Sequence, residues 1–98
     1  MRFYTVELLL SETYKEFKEL LDYTDILDSC NNDGYLRDED GEFVLDDEGN
    51  ELEMEGQFDL APYITKMWTM VLSEKDPLTQ KVMQQQLEIM GWYDPVRF

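Results

Sequence analysis

Apolar positions alternate with polar ones at the start of the chain. Tyr4, Val6, Leu8 and Leu10 share one side and leave Thr5 and Glu7 on the other, which predicts a β-strand. The period then lengthens. Tyr14, Phe17, Leu20, Leu21 and Leu27 recur at helical spacing and predict an amphipathic helix. Thr13 and Glu16 stand at capping-box spacing, so this helix is expected to begin there. Asn31-Asn32-Asp33-Gly34 should end it, because Asn and Gly tolerate the left-handed conformation of a helix terminus.

Short alternating runs follow. Tyr35-Leu36-Arg37, Glu42-Phe43-Val44-Leu45-Asp46 and Glu51-Leu52-Glu53-Met54-Glu55 are separated by the turn formers Asp38-Glu39-Asp40-Gly41 and Asp47-Glu48-Gly49-Asn50. Gly34, Gly41, Gly49 and Gly56 recur every seven or eight residues, each preceded by an acid. The pattern predicts an antiparallel meander. Phe43, Leu45, Leu52 and Met54 would share one face, with Glu51, Glu53 and Glu55 in a row on the other.

The remainder reads as helical. Asp59 and Pro62 suit a helix start, and Ile64, Met67, Trp68, Val71 and Leu72 make its apolar stripe. Asp76-Pro77 restarts the chain with a cap and a first-position proline. Leu78, Val82, Leu87, Ile89 and Met90 supply the last helix, Gly91 ends it, and Trp92-Tyr93-Asp94-Pro95 is expected to fold back. The expected fold class is α+β in a single domain over residues 1–98. It comprises an N-terminal strand and helix, a short antiparallel β-meander, and a C-terminal helical hairpin packed on one sheet face.

Charge changes what this pattern implies. The 98 residues carry 23 acids against 8 bases, a formal net charge of −15. Residues 31–59 hold twelve of those acids and Arg37 alone among bases, a local net charge of −11. Leu, Ile, Val and Phe still exceed the ~20% below which highly charged chains stay unfolded. Direct binding to nucleic acid or to an anionic membrane is therefore not expected. No run approaches the ~18 apolar residues of a membrane span, and Glu7 interrupts any early signal-like segment, so a cytoplasmic location is expected.

With no histidine, the chain has no imidazole base, and a single Cys30 provides neither an internal disulfide nor a cysteine-rich zinc site. Carboxylates abound, but nothing in the sequence places one in an apolar pocket, so no enzymatic activity and no cofactor are expected.

The acidic middle is the candidate site: Asp38, Glu39, Asp40, Glu42, Asp46, Asp47, Glu48, Glu51, Glu53 and Glu55. Like charges placed opposite one another destabilise a sheet. Their concentration thus suggests a surface that meets positive charge, with carboxylates standing in for phosphates. The expected partner is a basic nucleic-acid-binding protein: a nuclease, CRISPR effector, restriction or transcription protein, held off by competition for its channel. In composition the chain is similar to small acidic anti-defence proteins encoded by phages. Mild acid or added salt is expected to stabilise such a fold by relieving repulsion.

Two other readings compete. Met67, Met70, Met83 and Met90, with Trp68, Trp92 and the tyrosines, could form a protein-binding helical surface, for which Met70 and Tyr63 are the positions to check. Ser29–Asp40 resembles an EF-hand calcium loop, with oxygen side chains at loop positions one, three and five and glycine at six. It departs from that pattern in opening on Ser29 and in closing on Asp40 rather than glutamate.

Overall fold

A computed structural model describes residues 11–94, so the expected strand of Tyr4, Val6, Leu8 and Leu10 lies outside the described residues, as does Pro95. Three helices occur in this span: α1 (Glu12–Asp33), α2 (Ala61–Ser73) and α3 (Pro77–Met90). Two compact units divide the chain. One combines the chain up to Leu21 with that from Ala61, and the other runs from Asp22 to Leu60.

In the helical unit, α1 begins two residues earlier than the capping-box spacing implied. Ser11, not Thr13, is its cap: the Ser11 hydroxyl accepts the Tyr14 N–H at 3.3 Å. Phe17 and Leu21 from α1 join Met67, Trp68 and Val71 from α2, Met83 and Leu87 from α3, and Trp92 in one buried cluster. Tyr14, Leu20, Ile64, Met70 and Met90 pack around it.

Both ends of α3 follow from local chemistry. The Asp76 carboxylate accepts the Thr79 N–H at 3.1 Å and the Thr79 hydroxyl at 2.6 Å, and Pro77 occupies the first turn. Gly91 takes φ 82°, its N–H donates to Glu88, and the Trp92 N–H donates to Leu87 at 3.0 Å. This pair of bonds turns Trp92 back into the core. The Trp92 carbonyl there accepts the Trp68 indole N–H at 2.8 Å.

Apolar spacing misplaced two side chains. Leu72 and Ile89 were expected within buried stripes, yet both are exposed, Ile89 by 84%. The buried line of α3 is Thr79, Met83 and Leu87, which keeps a four-residue step and includes a threonine.

The α+β expectation fails in the second unit. Residues 34–60 contain no strand and no sheet; three isolated antiparallel bridges, Tyr35 with Glu53, Arg37 with Phe43 and Leu45 with Glu51, replace the meander. The helical hairpin therefore has no sheet face to cover, and the described chain is all-helical apart from this irregular module.

The cause is the spacing of the turns. Asp38–Gly41 and Asp46–Gly49 close tight turns, each with the glycine N–H donating to the aspartate carbonyl at 3.0 Å and the glycine at φ 84°. Only four residues separate the turns, enough for one rung with each neighbour. The Val44 N–H donates to Leu36, the Leu52 N–H to Val44, and the Leu36 N–H to Leu52, at 3.0, 2.9 and 2.9 Å. These bonds close a ring of three segments, from which three short arms radiate.

Candidate functional site

The acidic unit is organised by the side chains that close its turns. Asp38 Oδ1 accepts the N–H groups of Asp40 and Glu42 at 2.9 and 3.0 Å. Asp46 Oδ1 accepts those of Glu48 and Asn50 at the same two distances. An eight-residue step relates the two turns. Two of the ten candidate acids are thus structural as well as charged, because each satisfies two backbone donors at an arm tip.

All ten candidates, Asp38 to Glu55, are solvent-exposed. None of them forms an ion pair among the described residues. Arg37 is engaged elsewhere: its guanidinium pairs with Asp33 at 2.6 Å, donates to the Gly41 carbonyl at 2.9 Å and lies 4.2 Å from the Phe43 ring centre. Tyr35 meets the same ring edge-on at 6.1 Å. The base of residues 31–59 thus holds its own scaffold together and leaves the ten acids uncompensated.

The row expected of Glu51, Glu53 and Glu55 on one meander face does not form, because the described residues contain no sheet to carry it. The bridge partners show the mixture instead. Leu45 stands beside Glu51, and Tyr35 beside Glu53, so Leu45 shares a side with a glutamate rather than with Leu52. Carboxylates project from two arm tips (Glu39, Asp40, Asp47 and Glu48) and from the last segment (Glu51, Glu53 and Glu55).

Asparagine and alanine at the anchors separate these two roles. Asp38→Asn with Asp46→Asn removes two charges but retains an acceptor oxygen, and stability is expected to change by less than about 0.5 kcal/mol. The corresponding alanines abolish four hydrogen bonds and should cost about 1–3 kcal/mol in total. Chemical denaturation followed by far-UV circular dichroism and by amide signals of residues 35–53 measures both. Equal losses would remove the turn role.

The EF-hand resemblance dissolves in the structure. Ser29–Asp33 belong to α1, Asp33 is bound to Arg37, and Asp38 serves its own turn. No three carboxylates or thiols among the described residues gather as a metal-holding group. Cys30 is buried as a free thiol. The helical surface also changes character. Met67, Met83, Trp68 and Trp92 are core residues, and Met70 and Tyr63 are half-buried; exposed Leu72, Ile89 and Tyr93, which the sequence reading assigned elsewhere, remain outside.

Among the described residues, hydrogen bonds favour the charged form of two carboxyls. The Arg37 hydrogen bond, then the Tyr35 N–H, holds Asp33 below the ordinary aspartate range. The Thr79 hydroxyl, then its N–H, does the same for Asp76. A lowered folded-state value means that the stabilisation is complete above the unfolded value, near pH 4, and is lost as pH falls through the folded one. Thermal melts should therefore weaken below about pH 4. Asp76→Asn should flatten this acid limb; an unchanged limb would show that Asp76 does not contribute.

Comparison with protein-family models, curated proteins and solved structures yields no match for this chain. Among the described residues, no helix is long and apolar enough to cross a membrane.

Proposed function

We propose that the chain is a non-enzymatic inhibitor that acts in the cytoplasm by occupying the basic nucleic-acid channel of a nuclease, CRISPR effector, restriction or transcription protein. One observation carries this reading: ten exposed carboxylates without internal countercharge, held on a scaffold whose own arginine is already used. Hydrogen-bonded turns fix where the tip acids project, so less ordering entropy is lost on binding than with a flexible acidic tail. Double-stranded DNA presents one negative charge per ~1.7 Å of axis, and a compact cluster of acids competes for the same lysines and arginines.

The test is capture of a basic nucleic-acid-binding protein by the immobilised chain, followed by competition. Duplex DNA should release the captured protein, and a variant carrying amides at Glu39, Asp40, Asp47 and Glu48 should fail to capture it. Retention in excess duplex, or undiminished capture by the variant, would overturn the proposal. The exposure of Ile89 favours a second reading, contact through α3; Ile89→Glu would then abolish capture while the amide variant would not.

A further inference from the structure

Beside the exposed arm tips, the acidic unit contains a groove of about 310 Å³. Leu36, Met54 and Phe58 give it apolar surface, and Glu53 and Glu55 give it charge. Backbone hydrogen bonds hold its walls. The Leu36 N–H donates to Leu52 at 2.9 Å and the Met54 N–H to Gly34 at 2.8 Å. The Asn31 side chain both donates to the Phe58 carbonyl and accepts the Phe58 N–H, each at 2.8 Å. The cleft is therefore built before any ligand arrives.

We propose that this groove receives a single arginine side chain of the basic partner, an inference that rests on the function proposed above. Charge and surface type are both complementary. An arginine carries an apolar stem, suited to Leu36 and Met54, and a planar cation that stacks on an aromatic ring and pairs with carboxylates in a bidentate manner. Phe58 and the two glutamates supply those partners. Neither Glu53 nor Glu55 has an ion pair among the described residues. Purely apolar occupants would desolvate the two carboxylates without compensation, and anions would be repelled. Lysine fits less well, since its ammonium neither stacks nor forks.

Titration of the isotope-labelled full chain with acetyl-Gly-Arg-Gly-amide, followed by amide chemical shifts, tests the inference. The expected result is saturable shifts concentrated at Leu36 and at Glu53–Phe58, weaker with the lysine peptide and lost with the uncharged citrulline peptide. Glu53→Gln with Glu55→Gln should weaken the arginine peptide by at least about tenfold, as losing a charge-assisted hydrogen bond does. Any one of three results would overturn the inference: shifts spread evenly over the acidic turns, equal binding of citrulline or lysine, or an unaffected double variant. Capture of the basic protein by that double variant separates the two proposals. If capture survives, the surface reading stands without the groove; if wild type also fails to capture, the surface reading falls.

Discussion

Amide replacements at Glu39, Asp40, Asp47 and Glu48 are expected to slow association with a basic nucleic-acid-binding protein by about ten- to a thousandfold at low ionic strength. All four side chains are exposed at arm tips. The turns beneath them are closed by Asp38 and Asp46, so the shape survives the substitutions while the negative charge of the tips does not. Long-range attraction acts before contact and therefore appears in the association rate. Screening supplies the control, since the Debye length shrinks from about 30 Å at 0.01 M salt to about 3 Å at 1 M. Stopped-flow rates for variant and wild type should converge at the higher salt. A difference that persisted there would indicate short-range contacts, and no difference at low salt would remove the tip acids from recognition.

Phe17→Ala is expected to be the most damaging single change to stability. Phe17 is fully buried among Met67, Trp68, Met83 and Leu87, and truncating a buried phenylalanine costs about 3–5 kcal/mol. For a chain of this size that is a large part of the total stability and should lower Tm by more than about 10 °C. Both tryptophans lie in the same cluster, so their fluorescence follows its melting directly. Ile89→Ala, at a position of the same apolar character in sequence, should change stability by less than about 0.5 kcal/mol. Similar costs for the two would mean that Phe17 does not fill this core.

That pair shows where apolar periodicity stops being informative. The stripes of α1 and α2 were legible because Phe17, Leu21, Met67, Trp68 and Val71 repeat at three- and four-residue steps. On α3 the true line runs through Thr79, whose hydroxyl is already satisfied by Asp76, so a polar letter occupies a buried position. Asp76-Pro77 and Gly91 marked the ends of α3 correctly, since capping is decided within a few residues. Ser11 and Thr13 are chemically equivalent candidates, and the register of the first turn chose between them.

The missing sheet has a different origin. The alternation of residues 42–46 and 51–55 is real, and so are the turns between them. Alternation says nothing of how many rungs a segment forms, however, and four residues shared between two neighbours allow only one with each. The clustering of acids was plain in the sequence. That Arg37 would be committed to Asp33, Gly41 and Phe43 was not, because a lone base among acids can pair with any of them. Glu53, Glu55 and Phe58 acquire a common groove only through the Asn31–Phe58 clamp, a link across 27 positions that no local pattern encodes.

The hydrogen bond from Met54 to Gly34 has a consequence for how such a chain can vary. The excursion from Gly34 leaves and returns at one point, so the backbone on either side sees a gap of a single residue pair, however long the insert is. Arms could be lengthened, duplicated or exchanged without disturbing that junction. The segment is in effect a cassette, whose payload of side chains can diversify while the seam that holds it stays the same.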